Sequence, residues 1–186
     1  FLEKNKDYFL VGSNAYVINA DGDTVGTKTE PTAHEDIYKS YFTFHPLIHP
    51  SCMYRRIING KMFQYSIKYS ANNDYYTFFK LICSGHKFAN LKEKLLYYRI
   101  HGKNDTFVHI KRKFINTLRI RYTMVRHFSY VPTVKQLVVT VLQAGVALFL
   151  PEKVTAMIYF VTKGIVKIHN PFQNLIALMK IRVSVQ

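Results

Sequence analysis

The chain has 186 residues, 48% hydrophobic and 15% aromatic, which is enough to bury a sizeable core and excludes a generally disordered segment. Its two cysteines, Cys52 and Cys83, exclude a disulfide framework and lack zinc-site spacing, which points to a reducing compartment. The formal net charge of +15 is uneven, with 13 Lys/Arg against 2 Asp/Glu in residues 101–186, and so points to an anionic partner: a membrane surface, nucleic acid or phosphorylated ligand.

Phe1 to Asn5 reads as the end of a helix already under way, so the sequence is expected to start inside a domain, without a signal peptide. Residues 9–12 and 14–19 read as two short strands. Asp21-Gly22-Asp23 supplies a hairpin turn before Thr24-Val25-Gly26. A helix is expected to begin near Thr32 or Ala33, with Glu35 and Asp36 in its first turn and Ile37, Tyr41 and Phe44 on one face. His45, His49 and Cys52 follow, but Pro46 and Pro50 force extended backbone at both histidines. The spacing of metal ligands on a helix is thereby lost.

Asn59-Gly60 marks a turn before a short aromatic segment, residues 62–69. The most informative stretch is residues 70–101. Asn72 and Asn73 suit an N-cap, and Asp74 falls in the first helical turn. Tyr75, Phe78, Phe79 and Ile82 form an apolar stripe, and Gly85 stands where a left-handed residue ends a helix. Residues 87–91 and 95–98 read as short strands leading into Arg99 and His101.

Beyond residue 104 the pattern is helical. Phe107, Ile110, Phe114, Leu118, Tyr122, Val125 and Phe128 are expected to form the apolar stripe of a basic amphipathic helix. Lys111, Arg112, Lys113, Arg119, Arg121 and Arg126 crowd its other sides. Such a helix packs on its own domain or lies on anionic lipid. Residues 134–150 and 154–168 form two apolar segments separated by Pro151. Each is short for a span, so they read as an interfacial or buried hairpin, with a membrane span ranked second. Residues 171–186 read as a further short helix and a tail. P-loop, dinucleotide and zinc motifs are absent.

Four segments resemble, in order, the second half of the catalytic domain of family 2 glycosyltransferases. Phe1 to Asn5 is similar to the "F-L-x-K-N" that follows the metal-binding D-x-D of that family. Residues 10–26 resemble "L-V-G-S…I-D-x-D-G-x-x-x-G". Residues 45–56 are similar to "N-P-x-I-H-P-S-V-M-F-R-[RK]", and residues 85–101 to "G-x-F-A-N-L-x-E-x-L-L-Y-Y-R-x-H". The resemblance implies an α/β chain carrying a partial GT-A fold, a Rossmann-like nucleotide-diphospho-sugar transferase architecture. It would lack the N-terminal nucleotide-binding half, with residues 1–103 as the acceptor-side part and 104–186 as a helical extension.

The resemblance further implies an inverting sugar transfer, from a nucleotide-sugar donor to a glycan or lipid-linked acceptor, in cell-surface polysaccharide or glycolipid synthesis. Asp74 aligns with the second acid of the family's "E-D" pair, its catalytic base, and Asn73 replaces the first. His49 and Asn73 are placed on the acceptor side, with residues 52–54 on a core strand. Arg99 and His101 are placed at the donor diphosphate, with His101 as a ligand of the Mg²⁺ or Mn²⁺ that the phosphates share. The main D-x-D ligands would be missing, so the chain alone is expected to be inactive.

The expected setting is cytoplasmic, peripheral at the inner face of an anionic membrane, without a nucleic-acid partner. The other reading, from a different class, is a non-catalytic basic helical module that binds membrane or nucleic acid.

Overall fold

The computed structural model describes residues 1–100, 110–151, 154, 155 and 158, and is mixed α/β. Its strands are β1 (Tyr8–Ile18), β2 (Thr24–Lys28), β3 (Met53–Tyr54), β4 (Ile57–Ile58), β5 (Lys61–Met62) and β6 (Lys87–Arg99). Its helices are α1 (His34–Ser40), α2 (Asn73–Cys83), α3 (Ile110–Phe128) and α4 (Val134–Phe149).

β1 is the axis of the main sheet. β6 lies parallel to it along its whole length, from Tyr8 opposite Lys87 to Ile18 opposite Arg99. β2 and β3 pair antiparallel with its other edge, at opposite ends. A parallel neighbour needs a long crossover, and here it carries α1, β3, the β4–β5 hairpin and α2.

Two sequence expectations are corrected in this sheet. Residues 8–18 form one strand instead of two, because β6 gives β1 a continuous partner. Residues 87–99 likewise form one strand. The polar stretch between the expected pair is an irregularity in register, where Ser13 faces Leu91 and Asn14 faces Lys94. The buried Asn14 closes it, donating from Nδ2 to the Lys92 carbonyl (3.0 Å) while its Oδ1 accepts from the Glu30 N–H (2.9 Å).

Both turns follow their local chemistry. Asn19 and Asp23 bracket the first hairpin, with Gly22 at φ +101°. Asn59 and Gly60 take positive φ between β4 and β5, as a two-residue type I′ hairpin demands.

Gly12 is needed for a close approach, not for a special φ. A Cβ there would lie 2.3 Å from Asn90 Oδ1. Asn90 is buried and donates from Nδ2 to the carbonyls of Pro31 (2.7 Å) and Pro46 (3.0 Å), tying two loops to the sheet. Gly12→Ala should therefore displace Asn90 and destabilise the fold by ~1–3 kcal/mol, as overpacking does. Urea denaturation reads this directly. An unchanged midpoint would mean that the clamp yields without loss.

The core lies between the sheet and the first two helices. Tyr75, Phe78, Phe79 and Ile82 of α2 are all buried, as the stripe requires, against Leu10, Ile37, Tyr41 and Phe88. α2 ends in a Schellman turn: the N–H groups of Gly85 and His86 donate to the carbonyls of Ile82 and Leu81, with Gly85 at φ +89°. α1 is shorter than the 31–44 pattern allows. It closes at Tyr41, and Phe42 takes the buried place expected of Phe44.

α3 turns a different face inward from the one its apolar stripe predicts. Ile120 and Met124 are buried along with polar Asn116, Arg121 and Thr123, whereas Tyr122 (69%) and Val125 (41%) are exposed. Arg121, expected on the solvated basic side, is sequestered. The reason is α4, whose polar residues face the body. Arg121 Nη1 donates to Thr140 Oγ1 (3.1 Å) and Gln143 Oε1 (3.0 Å), and Nη2 to the Thr43 carbonyl (2.7 Å).

Gln136 serves twice in α4. With Thr133 it forms a capping box, and its Nε2 reaches the Lys39 carbonyl (2.7 Å) and Tyr130 Oη (2.9 Å). In consequence Val134, Leu137, Val138, Val141, Leu142, Leu148 and Phe149 are left exposed. No described helix is long and apolar enough to cross a membrane. The second apolar segment, residues 154–168, and the tail at 171–186 lie almost wholly outside the described residues.

Candidate active site around Asp74

The turn before α2 is tight: Asn72 N–H donates to the Tyr69 carbonyl (2.9 Å), and Ala71 is held at φ +68°. Asn72 is the N-cap residue but makes no side-chain cap bond, so the first turn keeps donors to spare. Asp74 uses one of them. Its Oδ1 accepts from the Tyr75 N–H (2.8 Å), while Oδ2 lies 3.5 Å from His45 Nε2. At that separation the His45 contact is Coulombic more than a formed hydrogen bond.

The Asp74 side chain remains 37% exposed, so one edge of the carboxylate faces solvent. Burial alone would push its pKa up. The His45 contact and charge, the Tyr75 N–H and the His49 charge outweigh burial and hold the pKa down at about 2. The carboxylate is thus ionised throughout the neutral range.

His45 is built into the wall. Its ring packs against those of Tyr41 (5.6 Å) and Tyr75 (5.7 Å), and neither ring nitrogen has a hydrogen-bond partner among the described residues. Two features place it. Pro46 keeps it extended, and Asn90 holds the Pro46 carbonyl to β6. Four residues on, His49 starts a short 3-10 turn, and its Nε2 lies 2.9 Å from Tyr65 Oη. Burial is the main cause of a lowered His49 pKa, with Asp74 acting against it and His45 with it. Burial also pushes the Cys52 thiol up to about 12, which leaves it protonated and unreactive.

Of the residues singled out in the sequence, Asn73 and Asp74 sit side by side on the first turn of α2, and His49 is near enough for charge on it to act on Asp74. Asn73 Oδ1 is a buried acceptor without a partner among the described residues. Arg99 is placed elsewhere. It ends β6, with Nη1 donating to the carbonyls of Asn19 (2.9 Å) and Ala20 (2.7 Å) in the hairpin turn. From Asn90, beside the His45 loop, to Arg99 is nine residues of strand, up to ~30 Å. His101 lies outside the described residues.

No group of three or more His, Cys, Asp or Glu side chains that could hold a metal ion occurs among the described residues. The described residues alone do not supply a ligand set for the divalent ion that the resemblance implies.

Sequence reading missed His45 as the partner of Asp74, and Asn90 as the residue that seats it. Their separations of 29 and 16 residues from Asp74 give no local signal. The motif does hold a hint, since His45 stands where the family pattern has Asn.

Over 132 residues the chain is 30% identical to an uncharacterized glycosyltransferase of Methanocaldococcus jannaschii. The alignment covers 69% of this chain and 45% of that relative, so the chain spans less than half of its relative's length. The chain is thus similar to part of a protein named as a glycosyltransferase. No protein-family model matches the chain, and no solved structure matches it.

Proposed function

We propose that the chain forms the acceptor side of a family 2, GT-A-fold glycosyltransferase that inverts configuration at the transferred sugar. The observation that carries this reading is the Asp74 carboxylate: ionised, seated on a helix start, backed by His45 and open on one edge. An acceptor hydroxyl donates to that open edge. As its oxygen forms a bond to the anomeric carbon, the bond from that carbon to the diphosphate oxygen breaks on the opposite face. The hydroxyl proton passes to Asp74, and the diphosphate leaves with the bonding pair. His49 and Asn73 line the acceptor side. His101 is assigned to the departing diphosphate. Arg99 does not reach that diphosphate: its Nη1 is held by the Asn19 and Ala20 carbonyls at the far end of β6.

The acceptor is a glycan or lipid-linked sugar of cell-surface polysaccharide or glycolipid synthesis, and the protein works peripherally at the cytoplasmic membrane face. Two surface features support that location. The outward face of α4 is apolar, and α3 presents Lys111, Arg112, Arg119 and Arg126 to solvent. Basic side chains near anionic lipid contribute ~1 kcal/mol each.

The test is nucleoside-diphosphate release by the full-length protein, supplied with UDP-, GDP- and dTDP-sugars, with Mg²⁺ and with Mn²⁺. We expect release from one donor class, stimulated by a glycan or glycolipid acceptor. No release from any donor, in the presence of membrane extract as acceptor, overturns the reading.

A further inference from the structure

A cluster of basic residues lies on the loop ahead of α2 and on α3. Lys68, Arg112 and Arg119 line an open cleft of about 510 Å³ between the loop ahead of α2 and the outer face of α3, with Tyr69, Ser70 and Asn116 among its other lining residues. Among the described residues, no acidic one lines it. Three like charges around one cleft repel one another and are normally relieved by carboxylates. Here they are not. The ion pairs of the described residues join Lys6 to Glu3, Lys28 to Glu30, Lys87 to Asp7 and His45 to Asp74, and none reaches the cleft. Lys68 is steadied by aromatic faces alone, 5.5 Å from the Tyr69 ring and 5.8 Å from that of Tyr76.

The cleft is also fixed in place relative to Asp74. Asn116 Nδ2 donates to the Ser70 carbonyl (2.9 Å), which ties α3 to the loop. Ser70 is four residues ahead of Asp74, at most ~14 Å along the chain, and the Asn72–Tyr69 turn shortens that path. A ligand one sugar long, with a phosphate in the cleft, would set a hydroxyl near the carboxylate.

We propose that this cleft binds the phosphate or diphosphate of the acceptor, so that the transferase takes phosphorylated sugars. The assignment rests on the glycosyltransferase reading for the word acceptor, but the phosphate site stands on three cations without an ion-pair partner among the described residues. Two arginines fit phosphate oxygens bidentately, and Lys68 adds a third charge. The phosphate comes either from a lipid headgroup or from a soluble sugar phosphate.

The experiment uses the full-length protein and inorganic pyrophosphate as probe, titrated calorimetrically in EDTA at 150 mM salt. The triple variant K68Q/R112Q/R119Q is compared with a charge-matched control, K61Q/R126Q/K135Q, whose exposed cations lie outside the cleft. We expect at least tenfold weaker pyrophosphate binding in the cleft variant and less than twofold change in the control. Equal losses, or no loss, overturn the proposal. All six positions are exposed, and a thermal melt checks that both variants remain folded.

Sedimentation with phosphatidylcholine vesicles, with and without 20 mol% phosphatidic acid, separates the sources. Loss of phosphatidic-acid binding in the cleft variant alone assigns a lipid phosphate; unchanged vesicle binding beside lost pyrophosphate binding assigns a soluble one. Asp74→Asn is the marker for the wider reading. If it abolishes transfer while the cleft variant still binds pyrophosphate normally, the cleft fails and the transferase reading stands. If the cleft variant loses pyrophosphate and no donor is ever turned over, the transferase reading fails and the phosphate site stands.

Discussion

Asp74→Asn in the full-length protein is expected to lower sugar transfer by ~10²–10⁴-fold, the range of a lost general base, with donor affinity nearly unchanged. The amide keeps the shape of the carboxyl and keeps an oxygen for the Tyr75 N–H at 2.8 Å, so the helix start survives. On the proposed mechanism, what disappears is the group that takes the acceptor proton. Turnover and calorimetric donor affinity, measured side by side, separate that from a binding defect. Turnover within tenfold of wild type would remove Asp74 from the chemistry, whatever else it does.

The same carboxylate gives a pH dependence whose sign is fixed by its neighbours. The pKa of Asp74 in the folded chain, about 2, lies below the ~3.9 of an unfolded aspartate. Its contribution to stability is therefore present above pH ~4 and is lost as pH falls through about 2. His45→Asn removes the contact that does most to offset burial, so the Asp74 pKa should rise and part of this acid-side stability should vanish. Transfer responds in the opposite sense. The same His45 contact, at 3.5 Å, makes the carboxylate a weaker base, so the acid limb of kcat/KM should move in His45→Asn and stay put in a substitution remote from the site. NMR titration of the Asp74 carboxyl in both proteins checks the cause directly. An unchanged titration would leave His45 as packing against Tyr41 and Tyr75.

What could be seen in the sequence depended on how local the determining physics was. α2 was legible throughout: its apolar stripe, its acid in the first turn and Gly85 at its end all act within a few residues. The Asn59-Gly60 turn was legible for the same reason. The split strands were not, because polar residues at 92–94 look like a break until Asn14, on a neighbouring strand, satisfies the Lys92 carbonyl. Periodicity failed on α3 and α4 in one way. It assumes that apolar faces turn inward, and these two helices meet through Arg121, Thr140 and Gln143 instead, while Gln136 ties α4 to the Lys39 carbonyl. In the candidate site Asp74, Asn73 and His49 were singled out from the sequence by a resemblance. The side chain nearest the Asp74 carboxylate apart from its own helix, His45, is set by a long-range clamp through Asn90.

That polar joint makes Arg121 the position where a single truncation should cost the most stability. Arg121 is only 4% exposed, yet it has no carboxylate partner among the described residues. It is held by three hydrogen bonds and by the Phe42 ring, 5.7 Å from its guanidinium carbon. Hydrogen bonds from a charged donor are worth ~1.5–3 kcal/mol each, and they do not add. Arg121→Ala removes all three and leaves Gln143 Oε1 without its donor. Thr140 keeps a bond to the Gln136 carbonyl (2.8 Å), and the Thr43 carbonyl keeps Gln143 Nε2 (3.0 Å). The expected loss is therefore ~3–5 kcal/mol, with water entering the vacated volume. Arg121→Met should cost less, because it fills the space and removes the desolvated charge along with its bonds. Urea denaturation gives the free energies. Limited proteolysis in residues 129–133, between α3 and α4, shows whether α4 has detached. An Arg121→Ala protein within 0.5 kcal/mol of wild type, uncut at that junction, would mean that α4 is held by something other than its polar face.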